Sequence, residues 1–290
     1  MLNTQYSLQS EIARQQALES QIAQLQTNIS SGIQVHVASD DPQAAARIAQ
    51  IGRQQADETV YSTNVKQGQA ITSLLDTNLS GVQNALVQAK TLMLQASNGT
   101  MSDSDRQAII TSLQGLQQDL QNFSTQTDSS GNALFAKNGQ PTQIPIGSNT
   151  TVAAADSYDD VFGSVTLSKG TNAGSTVSID DIISGAIAGL QQTDPTAQRQ
   201  AMDDSMNALD DAASHISMAQ SDLGVREGRF NAASDALATS ATDLKAERSG
   251  LEDTDATAAY AEMSSKMTIL NAAQSVLASM NKVSLFDKIS

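Results

Sequence analysis

The stretch Leu18-Glu19-Ser20-Gln21-Ile22-Ala23-Gln24-Leu25-Gln26-Thr27-Asn28-Ile29 places an apolar residue every three or four positions. The same spacing returns near the other end of the chain, in Met263, Met267, Leu270, Ala273, Leu277 and Met280. Apolar residues at this interval form a stripe along one side of a helix, and the stripe needs a second helix to cover it. Because the two stripes lie at opposite ends of the sequence, each is the natural partner of the other. The expected fold is therefore mainly α: an elongated rod of long antiparallel helices formed by the paired N- and C-terminal regions, with a small β-rich insertion between them.

Composition supports helices over a thick globular core. Aromatic residues make up 3% of the 290 residues and tryptophan is absent. Apolar volume comes from Ala, Leu, Ile, Val and Met, which fill narrow helix–helix seams. Only 4 prolines interrupt the chain, leaving room for very long helices. A formal net charge of -15 repels phosphate backbones and anionic lipid, which argues against nucleic-acid and membrane-surface partners. The absence of cysteine excludes disulfides, thiol catalysis and thiolate metal sites. No apolar run is long enough to cross a bilayer, and residues 1–10 carry neither the basic nor the hydrophobic segment of a secretory signal. The chain is expected to be cytoplasmic or exported by a route that needs no such signal.

Helix boundaries are marked by local chemistry. The first helix should run from about Thr4 to Ile29 and stop at Ser30-Ser31-Gly32. Its only charges are Glu11, Arg14 and Glu19, fewer than a solvated helix usually carries, which predicts neighbours on several sides. After a short extended link through His36, Asp41 and Pro42 form a helix start: the carboxylate caps free amides, and proline fits the first turn because its missing donor costs nothing there. Asp194 and Pro195 repeat that start. Leu75, Leu79, Val82, Leu86, Ala89, Met93 and Ala96 predict a long second helix, and Ile109, Leu113, Leu116, Leu120 and Phe123 a third, separated by a turn at Asn98-Gly99. Short β-prone pieces follow at 143–146, 161–167 and 176–179, then a short helix over 180–191. A further helix should run from Pro195 to about Arg248, with an interruption at 249–255 before the last one. The expected domains are 1–40 with 252–290 (terminal coiled coil), 41–135 with 194–251 (long-helix rod) and 136–193 (small β-rich outer domain).

No catalytic constellation stands out, and no enzyme activity, cofactor or metal is expected. His36 and His215 sit in no recognisable motif; the first reads as packed between valines, the second as a surface or seam residue. The acidic pairs at 40–41, 159–160, 180–181, 203–204 and 210–211 lack the alternating ligands, glycine and distal glutamate of a calcium loop. They read instead as helix-start charges or solvated faces.

Several runs together resemble a known family. Ile29-Ser30-Ser31-Gly32, Ala38-Ser39-Asp40-Asp41-Pro42 and Ala44-Ala45-Ala46-Arg47 are similar to the N-terminal signature of bacterial flagellins and their hook-associated relatives. Leu251-Glu252-Asp253-Thr254-Asp255, followed by Met263, Ile269-Leu270, Ala273, Val276-Leu277 and Asn281, resembles the matching C-terminal region. The proline at 42, the runs 96–103 and 130–136, and the ending Ser284-Leu285-Phe286-Asp287 resemble the hook–filament junction branch more than filament flagellin. Lys137 departs from that pattern, which has glycine there. The resemblance implies a structural protein exported by the flagellar type III apparatus and placed at the hook–filament junction. Its terminal helices would line a tube, in a ring with other copies of itself, between hook-associated protein 1 and flagellin, and an export chaperone would hold it before secretion. The assembly interface would comprise Leu18, Ile22, Leu25, Ile29, Met263, Met267, Leu270, Leu277 and Met280. The alternatives are filament flagellin and, in a different class, a cytoplasmic coiled-coil adaptor.

Overall fold

The computed structural model describes residues 2–98, 101–137 and 141–286, with side chains described for 6, 8–98, 101–137 and 141–279. It is mainly α, with a small β-containing insertion. Among the described residues six α-helices run in the order α1 (Leu2–Ser31), α2 (Pro42–Ala96), α3 (Asp103–Ser124), α4 (Ile179–Leu190), α5 (Pro195–Glu252) and α6 (Ala256–Phe286). Between α3 and α4 lie the hairpin β1 (Gln143–Gly147) and β2 (Thr150–Ala153), a π-helical turn at Asp159–Gly163, and the paired β3 (Val165–Thr166) and β4 (Thr176–Val177). The chain forms two compact units: residues 1–56 with 240–290, and residues 57–239.

Local caps explain where the helices begin. Asp41 Oδ1 accepts from the amides of Gln43 and Ala44 at 2.9 and 3.0 Å, so α2 starts at Pro42. Asp194 Oδ2 accepts from the amide of Ala197 at 2.7 Å ahead of α5. Ser102 caps α3 by accepting from the Asp105 amide, and Ser178 with Asp181 forms a reciprocal capping box on α4. Pro42 and Pro195 occupy the first helical position, where no intrahelical donor is needed.

The unit formed by 57–239 holds the main core. In it α2 and α5 are antiparallel, as cross-helix pairs at Gln69–Asn231 (2.8 Å), Ser80–Gln220 (3.4 Å) and Lys90–Asp210 (2.5 Å) show. The predicted α2 stripe from Leu75 to Met93 is buried, and it meets Ile109, Leu113, Leu116 and Leu120 of α3 in one cluster with Met202, Leu209, Ile216 and Leu223 of α5. Small residues let these helices approach closely. A Cβ placed on Gly68 would stand 2.3 Å from the ring of Phe230, which is fully buried. One placed on Gly81 would stand 2.6 Å from the ring of Phe123. Asn78, also buried, donates to the Phe123 carbonyl at 2.9 Å and so fixes the end of α3 against α2.

The insertion differs from a separate outer domain. Val161, Phe162, Val165, Leu167, Ile179, Ile182, Ile183, Ala186 and Leu190 belong to the same buried cluster as α2, α3 and α5. Ile144 and Val152 of the first hairpin pack with Val65 and Phe230. Residues 136–193 thus complete a core that the long helices leave open, because α4 carries a wide apolar face that α3 covers. The segment expected to be extended at 161–167 instead begins as the π-helical turn. There Ser157 Oγ accepts from the Asp160 amide at 3.1 Å, and Tyr158 stacks on Phe162, which also meets Phe135 edge-on. Lys137, the residue that departs from the family pattern, lies with its Nζ 4.4 Å from the centre of the Tyr158 ring, a cation–π contact.

Several acidic pairs serve as anchors. Asp180 Oδ1 accepts from the side-chain amides of Gln117 and Gln121 at 3.0 and 2.9 Å, tying α4 to α3. Asp204 and Asp211 accept from the hydroxyls of Thr171 and Ser168 at 2.6 and 2.7 Å, holding the β3–β4 loop on α5. Asp156 pairs with Arg226 through both terminal nitrogens of the guanidinium. His215 Nε2 lies 2.8 Å from the Asp160 carbonyl, a half-buried tether to the π-helical turn.

The two kinds of glycine environment make opposite demands. Gly68→Ala is expected to lower stability by about 1–3 kcal/mol, because the added methyl overpacks the Phe230 seam. Gly115→Ala on α3, with nothing within 4 Å of the added atom, is expected to raise it by about 0.5–1 kcal/mol. Thermal or urea denaturation of the two variants measures both signs.

Candidate assembly surface

In the unit formed by 1–56 and 240–290, the breaks at the two ends of the chain are joined to each other. The Gln34 amide donates to the Glu252 carbonyl at 2.7 Å, and the Thr254 amide donates to the Gly32 carbonyl at 2.8 Å. Ile33 and Asp253 form an antiparallel bridge between these bonds, and Gln34 Nε2 adds a bond to the Leu251 carbonyl at 3.2 Å. Gly32 makes the turn out of α1 with φ 75°, a conformation that favours glycine. Breaks legible in sequence as Ser30-Ser31-Gly32 and 249–255 are therefore two halves of one clasp. The second break is shorter than expected, since α5 continues to Glu252.

The motif residues divide the work of holding this clasp. Asp40 Oδ2 accepts from the amides of His36 and Val37 at 2.9 and 3.0 Å, folding the link back on itself, while Asp41 caps the following helix. His36 is exposed, not packed between the valines; its Nε2 lies 3.1 Å from Asn28 Oδ1 at the end of α1. Arg47 grips Glu247 with two bonds of 2.5 and 2.9 Å, and Arg248 pairs with Glu252 at 2.7 Å. Asp255 Oδ1 accepts from the amides of Thr257 and Ala258, starting α6.

Electrostatics here favour ionised carboxylates. The amides of Val37 and His36 hold Asp40 below the ordinary aspartate value of 3.8, and Arg47 holds Glu247 below 4.5. A folded-state value below the unfolded one stabilises the fold at neutral pH, and this contribution is lost as pH falls through the folded value.

From the clasp, α1 and α6 run antiparallel, with Lys266 Nζ 2.8 Å from Gln21 Oε1 along the seam. Leu18, Leu25 and Ile29 are half-buried and Ile22 is buried. On α6, Met263, Leu270 and Leu277 are half-buried, while Met267 remains 44% exposed. The Met280 side chain lies outside the described residues. Cover is thin: Ile22 and Ala259 are the buried apolar side chains that α1 and α6 show among the described residues, and each is still 9% exposed.

At roughly 100° per residue, Ala259, Lys266, Leu270 and Leu277 define the strip of α6 that faces α1. Tyr260 and Met267 lie on one flank of that strip, and Ile269 and Val276 on the opposite flank. All four are exposed, at 63%, 44%, 52% and 57%. On α1, Tyr6 and Ile12 are likewise exposed away from the seam. Helix α6 thus carries exposed apolar side chains on both flanks of the strip that α1 covers. Among the described residues no group of three or more metal-ligating side chains is gathered, and no helix is long and apolar enough to cross a membrane.

An acid titration of the intact chain checks the clasp. Loosening of α1 and α6, read by amide hydrogen exchange at residues 32–37 and 251–255, is expected to rise as pH falls below about 4. Asp40→Asn should show faster exchange there at neutral pH and a shallower further rise on acidification.

Comparison with known proteins agrees with this architecture. The bacterial flagellin N-terminal helical region matches residues 2–140, and the bacterial flagellin C-terminal helical region matches residues 206–287. Flagellar hook-associated protein 3 of Escherichia coli is 24% identical over 286 residues, covering 89% of this chain and 90% of that protein. A flagellin of Listeria monocytogenes is 25% identical over 267 residues, covering 90% and 88%. Among solved structures, a Vibrio parahaemolyticus protein assigned to the flagellar hook-associated group has a TM-score of 0.64 at 19% identity, covering 74% of this chain and all (100%) of its own. The flagellar junction protein of Legionella pneumophila has a TM-score of 0.57 at 16% identity, covering 71% and 100%. These likenesses show a shared fold. With both terminal helical regions present, and with the two motifs that mark them locked together, the chain belongs to the bacterial flagellin family.

Proposed function

We propose that this chain is a structural subunit of the bacterial flagellum that forms the junction ring between hook-associated protein 1 and the flagellin filament. The observation that carries this reading is the unpartnered apolar surface of α6, with Tyr260 and Met267 on one flank and Ile269 and Val276 on the other. Such a helix is complete only when several neighbours surround it, as in a tube built from repeated subunits. Leu18, Ile22, Leu25, Ile29, Met263, Met267, Leu270, Leu277 and Met280 then form the seam and rim of the assembly surface. Residues 1–40 and 252–290 serve as the tube-lining domain. Asp41, Pro42, Asp194 and Pro195 serve as caps of α2 and α5.

The junction reading is supported by the match to flagellar hook-associated protein 3 of Escherichia coli over most of the chain and by the fold shared with a flagellar junction protein. The partners on this reading are hook-associated protein 1, flagellin, other copies of the chain and a cytoplasmic chaperone. The chaperone would cover α6 before export through the flagellar type III apparatus. A structural role needs no catalytic group.

Deleting the gene should leave hooks without filaments and release flagellin into the medium; filaments of normal length on the deletion strain would overturn the junction role. A subunit that instead polymerises into long filaments would be a flagellin. Leu277→Asp is expected to block incorporation, because a carboxylate in the half-buried strip that faces α1 loosens the α1–α6 pairing on which the exposed flanks depend. Its main thermal transition should stay in place, since that transition comes from the core within 57–239. Normal incorporation of this variant would remove Leu277 from the surface.

A further inference from the structure

The chain has 9 methionines and neither cysteine nor tryptophan. Its thioethers are therefore the side chains most open to two-electron oxidation by peroxides. They are not equally reachable. Met93 and Met202 are buried, at 0% and 5% exposure, and Met101, Met206 and Met263 are half-buried. Two are exposed among the described residues: Met218 on α5, at 65%, and Met267 on α6, at 44%. Met267 alone of these two lies on the apolar flank beside Tyr260.

We propose that Met267 is a sulfoxide modification site, and that its oxidation by a hydroperoxide before assembly disables the α6 surface. The inference rests on the reading of α6 as an assembly surface and adds a chemical vulnerability to it. In the reaction the thioether sulfur attacks one peroxide oxygen. The O–O bond breaks, an S–O bond forms, and hydrogen peroxide is reduced to one water as the sulfur is oxidised by two electrons. The product keeps the shape of methionine but carries a strong acceptor dipole. Burying that oxygen without a donor opposes association, whereas the thioether adapts to an apolar neighbour. The adjacent Lys266 already serves Gln21 and Glu262, at 2.8 and 3.2 Å. Once neighbouring subunits cover the flank, peroxide no longer reaches the sulfur, so the free subunit is the sensitive form.

The test uses the purified full-length chain, limiting hydrogen peroxide and co-sedimentation with isolated hooks. Peptide mass spectrometry should find Met218 and Met267 oxidised at least about tenfold faster than Met93 and Met202. Co-sedimentation should fall at least about tenfold and return after treatment with methionine sulfoxide reductases and a thiol. Met218→Leu should co-sediment normally and remain peroxide-sensitive. Met267→Leu should keep its own untreated level after peroxide, whatever that level is. Undiminished co-sedimentation of chain oxidised at Met267 would overturn the proposal, as would continued sensitivity of Met267→Leu. If Met267→Leu fails to fold, Met218→Leu decides the matter: co-sedimentation that falls in step with the mass-spectrometric oxidation of Met267 supports the proposal, and loss out of step with it overturns it. The parent reading fails separately, and takes the proposal with it, if the unoxidised chain does not sediment with hooks or if Leu277→Asp sediments as well as the parent.

Discussion

The backbone pairing of Gly32–Gln34 with Glu252–Thr254 is the constraint on which the arrangement of the terminal helices depends. Helices α1 and α6 are 30 and 31 residues long, yet they bury few side chains completely against each other. Their mutual burial is small beside the conformational entropy lost in ordering two such segments. What sets their register is the clasp at their base, where two chain breaks more than two hundred residues apart exchange amide hydrogen bonds. On the proposed reading, the rest of the stabilisation comes from neighbouring subunits that cover the exposed flanks of α6.

The unit formed by 57–239 obeys a different rule. Its helices meet through glycine and alanine, so Phe230 and Phe123 lie directly on helix backbone at Gly68 and Gly81. Close approach of this kind gives dense packing with few large residues, which suits a chain so poor in aromatics. The insertion adds the remaining cover, with carboxylates at Asp180, Asp204 and Asp211 replacing the apolar contacts that its short strands cannot supply. One unit thereby closes its core within the chain, while the other leaves apolar side chains exposed on α1 and α6.

Much of this was legible in the sequence because it is local. The three–four periodicity located α2, α3 and α6, and an aspartate before proline located the starts of α2 and α5. The apolar stripes of α1 and α6 proposed as the assembly surface were read from the same spacing, and Leu18, Ile22, Leu25, Met263, Leu270 and Leu277 are buried or half-buried in the structure. The clasp was not, because nothing in Gly32-Ile33-Gln34 names Glu252 or Thr254 as its partner; only the two breaks were visible. The insertion was misjudged as a separate body because its burial is set by α3 and α5, far away in sequence. The turn at 159–163 looked extended because Val161 and Phe162 favour strands, whereas the Ser157 cap and the stacking of Tyr158 on Phe162 select a helical turn. Asp204 and Asp211 read as solvated because their partners, Thr171 and Ser168, lie on a loop with no periodic signal.

The aromatic cluster carries an optical consequence. The chain has 5 phenylalanines and 4 tyrosines and no indole, so its near-ultraviolet circular dichroism must come from very few rings. Phe135, Tyr158 and Phe162 are held in fixed mutual orientation, with centroids 5.0 and 5.5 Å apart, whereas Tyr6 and Tyr260 face solvent. The chiral signal of an isolated subunit therefore reports on the insertion and its neighbours and is nearly blind to the terminal helices. The phenols of Tyr6 and Tyr260 would add to it if another molecule took the place of water around them.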